Sequence, residues 1–247
     1  MMLHGFLGES SDWQAIAKTI PKEIGCYAID LPGHGKSASI ELNSALGFKQ
    51  CSNLISSTLL KQGISEYILV GYSMGGRIAL YHATHKSEHI RGLILESCHI
   101  GLTNLEEKQE RLLNDTYWAQ KFSSEHLPEV LKSWYQQNIF NSLTFQQKET
   151  LIAMRSQLNG DIIGKMLLAT SLAKQEFLAE KLTKSQIPSY YLYGKKDNKY
   201  QNIAKEFKEI SPQLQTVEFL QAGHNIHFEQ SEVFSEQIIK LYIQLCQ

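Results

Sequence analysis

The sequence predicts an α/β fold in which a mostly parallel sheet is flanked by helices and interrupted by an all-helical insertion. Over roughly the first hundred residues, short apolar runs alternate with segments of helical periodicity, and the alternation resumes near the end of the chain. Between residues 101 and 185 no convincing strand is visible, and the segment is not rich in Gly, Ser or Pro. Such alternation favours a parallel sheet covered on both faces, and its interruption favours an inserted cap rather than a linker.

The elements are placed from apolar runs of strand length and from the helical spacing of apolar residues. Before the insertion, the predicted strands are 24–31, 67–72 and 92–96, and the predicted helices are 12–20, 45–62 and 74–86. Within it, the predicted helices are 106–122, 128–138, 145–158 and 162–182. After it, predicted strands 187–194 and 214–220 flank helix 203–210, and a final helix has an apolar face of Phe234, Ile238, Leu241 and Leu245. The predicted division is therefore a core of 1–98 and 187–247 and a helical cap of 99–186.

Composition and charge exclude several classes of protein. The 247 residues are 43% hydrophobic, which is enough for a packed core, and 24 basic side chains nearly balance 25 acidic ones. Without a basic excess, nucleic acid is not an expected partner, and no apolar run approaches the length of a membrane span. The four cysteines lie far apart without a CxxC pair, and no signal-peptide pattern opens the chain. We expect a cytoplasmic protein with no membrane partner, and leave open whether it is a monomer or a homo-oligomer.

One motif indicates a nucleophile. Gly71-Tyr72-Ser73-Met74-Gly75 matches G-x-S-x-G, follows the apolar run 68–70 and opens a predicted helix. That strand–turn–helix setting is typical of a nucleophile elbow, in which glycines permit a strained turn that exposes the serine. The alternative is that Ser73 only caps the helix.

A serine becomes reactive when a histidine takes its proton and a carboxylate orients that histidine. His224 is the first histidine after the last predicted strand, and Asp197 follows the strand before it, in the chain order Ser, acid, His. Glu96, at the end of an earlier predicted strand, is the second candidate for the acid. A surface-loop histidine and a solvated turn aspartate are the alternatives for His224 and Asp197.

An oxyanion hole needs two backbone N–H groups, one after the nucleophile and one from the first βα loop. Met74 supplies the first, and Phe6, in the glycine-flanked loop 4–8, is the predicted second donor. We expect the loop that contains His34 to support this site structurally. His224 and His227 are three residues apart, but no third ligand has metal-binding spacing, so neither a metal nor a cofactor is predicted.

Six motifs spread over nearly the whole chain are similar to those of one family. They are LHGFLG (Leu3–Gly8), DLPGHG (Asp30–Gly35), GYSMGGR (Gly71–Arg77), WYQQ (Trp134–Gln137), ATSLAKQ (Ala169–Gln175) and GHNIHFEQ (Gly223–Gln230). They resemble the α/β-hydrolase superfamily and, more closely, its 2-succinyl-6-hydroxy-2,4-cyclohexadiene-1-carboxylate synthases of menaquinone biosynthesis. The first three motifs are shared widely in the superfamily, whereas GYSMGGR together with WYQQ and ATSLAKQ is far more specific.

The resemblance implies a lyase that eliminates pyruvate from a small tricarboxylate substrate, with the Ser–His–Asp relay removing a proton and no acyl-enzyme required. It also implies that Arg77, Arg111, Arg155, Trp134 and Tyr72 bind the substrate. Independent support comes from the arginines, because the chain has only four and three of them fall at these positions. A planar guanidinium pairs a carboxylate bidentately, whereas lysine acts as a point charge. Solvated helix arginines are the alternative for the two predicted cap positions.

Members of that family usually have two strands before the LHGF loop, whereas this sequence opens with Met1-Met2-Leu3. We therefore expect the sheet to lack its first hairpin and the strand before the Phe6 loop to be very short. Two rival functions stay open: a carboxylic-ester or C–C bond hydrolase with Ser73 as nucleophile, and a non-catalytic ligand-binding member of the superfamily. The ordered triad disfavours the second rival, and the arginines disfavour an esterase for neutral substrates.

Overall fold

The computed structural model describes residues 1–246 and contains a six-stranded, fully parallel sheet. The strands are β1 (Met2–Leu3), β2 (Ala28–Ile29), β3 (Tyr67–Tyr72), β4 (Ile90–Glu96), β5 (Ser189–Gly194) and β6 (Gln215–Phe219). Their spatial order is β2-β1-β3-β4-β5-β6, so the chain first runs outward to one edge and then returns past β1 toward the other. In parallel sheets of this kind, ligands bind beyond the carboxyl ends of the strands where the order reverses.

Helices cover both faces of the sheet, as the strand and helix alternation predicts. The helices of the core are α1 (Gln14–Thr19), α2 (Gly47–Lys61), α3 (Met74–His85), α8 (Ala179–Ser185), α9 (Asn198–Ile210), α10 (Ile226–Glu229) and α11 (Ser231–Leu245). Helices α2, α3, α8 and α9 contribute to the larger apolar cluster, and α1, α10 and α11 to the one on the opposite face. The predicted apolar face of the last helix is confirmed, since Phe234, Ile238 and Leu241 are buried and Leu245 packs against them.

The insertion between β4 and β5 contains no strand within the described residues. Its helices are α4 (Leu105–Ser124), α5 (Leu127–Trp134), α6 (Phe145–Arg155) and α7 (Gly160–Ala169), and they share their own apolar cluster. We propose that these four helices form the cap. Helix α8 lies inside the predicted cap range 99–186, but its residues Ala179 and Leu182 are buried in the core cluster, and we therefore propose that the cap ends near residue 178.

One helix prediction is wrong. The expected helix 162–182 ends at Ala169 and is followed by a short 3₁₀ turn, Leu172–Lys174, before α8 begins. The Ser171 hydroxyl donates to the carboxylate of Asp115 and accepts from the N–H of Ala173, so it caps the 3₁₀ turn instead of continuing a helix. This hydrogen bond cannot be predicted from the spacing of apolar residues alone.

The two strands at one side of the sheet are very short. β1 has two residues and pairs with both β2 and β3, while β2, also two residues long, forms the edge. The predicted strand 24–31 is therefore reduced to Ala28–Ile29, and the expected short strand before the Phe6 loop is found as β1.

Buried, uncharged histidines connect several of these elements. His82 on α3 is hydrogen-bonded through Nδ1 to the Ser52 hydroxyl of α2 (2.8 Å) and through Nε2 to the Tyr67 hydroxyl of β3 (2.7 Å). Burial lowers the pKa of His82 from 6.5 to about 4, because the charged ring loses its hydration. The ring is therefore neutral in the folded protein near pH 7.

This predicts a loss of stability in mild acid. The folded pKa of His82 lies below the unfolded value, so between pH 6.5 and 4 the unfolded chain binds the extra proton and stability falls as pH falls. From pH 7 to pH 5, one such histidine should lower the free energy of unfolding by about 2 kcal/mol. We expect urea titrations at the two pH values to show a smaller loss for His82→Gln than for the wild type. The exposed His89→Gln should keep the wild-type loss, and an equal loss in all three proteins would contradict the assignment.

Candidate active site

Ser73 occupies a strained turn between β3 and α3. Its backbone has φ 49° and ψ −110°, a left-handed conformation that costs a non-glycine residue of order 1–3 kcal/mol. The turn is held because the Ser73 N–H donates to the carbonyl oxygen of Glu96 on β4 at 2.9 Å. Gly75 is required on the other side, since a Cβ there would overlap the carbonyl oxygen of His4. The turn thus directs the Ser73 hydroxyl away from the sheet.

Ser73, His224 and Asp197 form a continuous series of hydrogen bonds. The separation is 3.1 Å from Ser73 Oγ to His224 Nε2 and 3.0 Å from His224 Nδ1 to Asp197 Oδ2. The carboxylate is acceptor-only, so Nδ1 carries the ring proton and Nε2 is free to accept from the hydroxyl. The other oxygen of Asp197 accepts from the Tyr200 N–H at 3.2 Å, which fixes the carboxylate as the cap of α9. Asp197 and His224 are both buried.

Glu96, the second candidate for the acid, does not contact His224. Its carboxylate is fully buried and pairs instead with Nδ1 of His227, at 2.8 Å. Of the two acids that the sequence left open, Asp197 is therefore the one placed against the histidine of the series.

The backbone on both sides of His224 is fixed by one carboxylate. Glu229 accepts from the N–H of Gly223 at 3.0 Å and from the N–H of Asn225 at 3.1 Å. The imidazole also lies against the rings of Tyr72 and Tyr200, with centroids 5.4 and 4.6 Å away. The ring of His224 thus has little freedom to turn away from Ser73.

Two residues that line the same cavity as Ser73 have backbone N–H groups without an acceptor in the described chain. Across residues 1–246, neither the N–H of Phe6 nor that of Met74 donates to another group of the chain. Met74 is the first residue of α3, so its N–H also lies at the positive end of that helix. An oxyanion hole needs two such unpaired N–H groups, and we propose these two for that role.

The loop that contains Phe6 is held by two neutral histidines. His34 Nε2 accepts from the N–H of Leu7 at 3.2 Å, and His4 Nε2 accepts from the N–H of Leu31 at 2.9 Å. Leu7 has φ 66°, so this bond stabilises a conformation that leucine otherwise avoids. Burial is the main cause that lowers the pKa of His4 to about 4 and of His34 to about 3, which keeps both rings able to accept. The structural role expected for the loop of His34 is thus present.

A cavity of about 590 Å³ opens above Ser73, between core and cap. All of the residues predicted as catalytic or substrate-binding line it, apart from the buried Asp197: Phe6, Tyr72, Ser73, Met74, Arg77, Arg111, Trp134, Arg155 and His224. Tyr72 is buried, and burial raises the pKa of its phenol well above 10. Trp134 lies at the roof, with its ring centroid 5.1 Å from that of Phe6 and 5.0 Å from that of Trp118.

Arg77 is a buried cation with no acidic partner within residues 1–246. It lies one turn after Ser73 on α3, and its Nη1 donates to the carbonyl oxygen of Thr170 at 2.7 Å. That carbonyl belongs to the end of cap helix α7, so the contact joins core to cap. Burial, and next the charge of Arg111, lowers the pKa of Arg77 to about 10. A cation near a helix N-terminus is unfavourable unless an anion accompanies it.

The two cap arginines differ from Arg77, because each already pairs with a carboxylate. Arg111 Nε donates to Asp115 at 2.8 Å, and Arg155 Nη2 donates to Asp12 at 2.6 Å. Asp115 is buried and Arg155 is 4% exposed, so the alternative of solvated helix arginines is wrong for Arg155. Arg111 is partly exposed toward the cavity. Arg111 keeps N–H groups for a ligand, and Arg155 Nε has no hydrogen-bond partner within residues 1–246, although the Arg155 guanidinium also interacts with the Tyr135 hydroxyl.

Sequence analysis missed one cation of this cavity. Lys199, two residues after Asp197, lines the cavity and forms neither a hydrogen bond nor an ion pair within the described part of the chain. Burial, and then the charge of Arg111, lowers its pKa. The one signal in the sequence is its position two residues after Asp197. That signal is weak, because the chain contains twenty lysines.

The described residues hold neither a metal-binding cluster nor a membrane-spanning helix. Among residues 1–246, no three His, Cys, Asp or Glu side chains are grouped so that they could hold a metal ion. In the same range, no helix has the length and apolar character needed to cross a membrane.

The chain is similar to known proteins over nearly its whole length. A family model described as alpha/beta hydrolase fold matches residues 1–231. The 2-succinyl-6-hydroxy-2,4-cyclohexadiene-1-carboxylate synthases of Yersinia pseudotuberculosis and Yersinia pestis are 41% identical over 243 residues, which cover 98% of this chain and 86% of theirs.

Two solved structures are similar to this chain over nearly its whole length. MenH from S. aureus superposes with a TM-score of 0.91 at 27% identity, covering 100% of this chain and 93% of that one. A thermophilic esterase from Thermogutta terrifontis has a TM-score of 0.84 at 21% identity, covering 99% and 89%, which shows the common fold alone. The chain belongs to the α/β-hydrolase fold family and, within it, to the family of the 2-succinyl-6-hydroxy-2,4-cyclohexadiene-1-carboxylate synthases.

Proposed function

We propose that this chain is a carbon–oxygen lyase of menaquinone biosynthesis. It converts 2-succinyl-5-enolpyruvyl-6-hydroxy-3-cyclohexene-1-carboxylate to 2-succinyl-6-hydroxy-2,4-cyclohexadiene-1-carboxylate and pyruvate. The product is the compound that gives the Yersinia relatives their name. The observation that carries the proposal is Arg77, a buried guanidinium without an acidic partner one turn from Ser73. A neutral ester gives no reason to bury such a charge beside the nucleophile position.

The chemistry requires one base and one oxyanion site. The proton on the ring carbon that bears the succinyl group is acidic because the neighbouring ketone stabilises the carbanion as an enolate. Ser73 Oγ takes that proton while His224 takes the hydroxyl proton, and Asp197 stabilises the imidazolium that results. The N–H groups of Phe6 and Met74 hold the enolate oxygen.

Elimination then balances without any redox step. The enolate electrons form a new ring double bond at the succinyl-bearing carbon, the existing double bond moves by one position, and the bond from the ring to the enolpyruvyl oxygen breaks. Enolpyruvate leaves and becomes pyruvate when its methylene carbon is protonated. No covalent enzyme intermediate is needed, so Ser73 acts as a base and not as a nucleophile.

The cations of the cavity match a substrate with three carboxylates. Arg77 and Lys199 have no acidic partner in the described structure, and Arg111 and Arg155 retain free N–H groups. Guanidinium groups also fix the direction of each carboxylate, which places the reacting C–H near Ser73 Oγ. The small tricarboxylate is the partner we propose.

The rival function is a carboxylic-ester or C–C bond hydrolase that uses the same groups with Ser73 as nucleophile. The esterase similarity extends to the fold alone. We favour the lyase because the buried cations suit a polyanion. The four unpaired thiols and a soluble, multiply charged substrate favour the cytoplasm as its location.

Removal of the relay tests the proposed base. Ser73→Ala and His224→Ala should each lower the rate of pyruvate release by several orders of magnitude, because neither group abstracts the proton without the other. The double variant should be barely slower than either single one. Pyruvate formation from the synthetic enolpyruvyl substrate measures this directly. If either single variant keeps more than about a tenth of the wild-type kcat, the relay is not the base.

Arginine-to-lysine changes separate lyase from esterase. Arg77→Lys keeps the charge but loses the planar pair of donors, so kcat/KM for the trianion should fall about ten- to hundredfold. Arg111→Lys and Arg155→Lys should act in the same direction. Higher ionic strength should weaken binding of the trianion and leave a neutral p-nitrophenyl ester nearly unaffected.

The matched control is Arg91→Lys. Arg91 is the fourth arginine, is exposed, pairs with Glu66 and lies outside the cavity. Its variant should keep wild-type kinetics on the trianion. Good turnover of neutral esters, together with indifference of all three cavity variants toward the trianion, would favour the hydrolase instead.

A further inference from the structure

One buried carboxylate next to the site has no part in the proposed chemistry. Glu96, the last residue of β4, is fully buried and accepts from the backbone N–H of His227 at 3.0 Å and from its ring Nδ1 at 2.8 Å. Within residues 1–246, neither Lys nor Arg pairs with it. Burying a carboxylate costs free energy unless its hydrogen-bond partners are well placed. We therefore expect the buried Glu96 carboxylate to serve by positioning neighbouring groups.

The main chain of the same residue contacts the nucleophile turn. The carbonyl oxygen of Glu96 accepts from the Ser73 N–H at 2.9 Å. The next residue, Ser97, donates its N–H to Leu192 on β5, the strand that leads to Asp197. Glu96 therefore links the Ser73 turn to the segment of His227, and it lies beside the strand that carries the third group.

His227 is three residues after His224 and is fixed in direction. Its ring stacks on Trp13, with centroids 4.2 Å apart and planes at 24°, and meets the ring of Tyr72 edge-on at 4.8 Å. Tyr72 also lies against His224. A change in the position of His227 therefore moves the short helix α10 and, with it, the backbone of His224.

We propose that Glu96 and His227 form a positioning pair that sets the separation between His224 Nε2 and Ser73 Oγ. The inference rests on the proposed function insofar as that separation governs proton transfer from Ser73. Neither side chain contacts the reacting atoms. Glu96 contacts both sides of the site: its main-chain carbonyl oxygen positions Ser73, and its carboxylate positions His227 and thereby the segment of His224. Misplacement of a reacting group by about 1 Å can cost on the order of a hundredfold in rate.

The experiment compares two substitutions at His227. His227→Asn keeps a donor near the position of Nδ1, so the bond to Glu96 persists and kcat should stay within about threefold of wild type. His227→Leu removes that donor, and Glu96→Gln places an amide against it. Both should lower kcat about ten- to hundredfold while KM changes less than twofold, because the cations that bind substrate are untouched.

A spectroscopic measurement gives a readout that does not need substrate. The proton shared by His224 Nδ1 and Asp197 gives a low-field ¹H NMR resonance, which should shift or broaden in His227→Leu and Glu96→Gln but not in His227→Asn. The matched control is His82→Gln, which removes an equally buried histidine that does not line the cavity. It should lower the urea midpoint while leaving kcat and the resonance unchanged.

The outcomes separate the two hypotheses. Wild-type protein that releases no pyruvate would contradict the proposed function, and the NMR comparison would still decide the role of the pair. His227→Leu with wild-type kcat and an unchanged resonance would overturn the positioning role and leave a purely structural pair. Equal losses of kcat in His227→Asn and His227→Leu would also overturn it, because the donor to Glu96 would then be irrelevant. If Glu96→Gln fails to fold, the two His227 variants decide the question.

Discussion

The strained turn at Ser73 is the constraint on which the site depends. A residue with φ 49° is kept there only because its surroundings permit no alternative: the N–H is bonded to β4, and α3 begins so close to β1 that Gly75 admits no side chain. The same close approach brings the Phe6 loop, which leaves β1, beside the start of α3. The hydroxyl and the two free N–H groups are thus consequences of one packing arrangement.

The ionisable groups around this turn differ in charge. The histidines that hold the Phe6 loop are neutral through burial, whereas Arg77 and Arg155 stay charged although they are buried. Asp12 and Asp115 offset the charges of Arg155 and Arg111, whereas Arg77 has no acidic partner within residues 1–246 and contacts the carbonyl oxygen of Thr170 and the ring of Phe48. Before a ligand binds, Arg77 and Lys199 are therefore the cavity cations without an acidic partner among residues 1–246, and they attract an anion into the cavity.

The sequence predicts structure accurately where local chemistry determines it. Strand 67–72 and the helix after Ser73 were placed almost to the residue, because an apolar run, two glycines and a helix start coincide there. Prediction fails where a residue distant in sequence determines the local structure. The helix expected to continue past Ala169 ends because the Ser171 hydroxyl donates a hydrogen bond to Asp115, fifty-six positions earlier. Lys199 and the pairing of Glu96 with His227 were not foreseen for the same reason, since both depend on neighbours brought together by the fold.

The same relay serves hydrolysis and elimination, so the reaction depends on which substrate atom lies above Ser73 Oγ. A carbonyl carbon there would be attacked, and a C–H there would be deprotonated. The oxyanion site is common to both, because a tetrahedral intermediate and an enolate each develop charge on oxygen. What can differ is the orientation of the substrate, and under the function proposed above this orientation is set by the directional donors of Arg77 and the cap arginines. The distinction between lyase and esterase therefore resides in the walls of the cavity rather than in the triad beneath it.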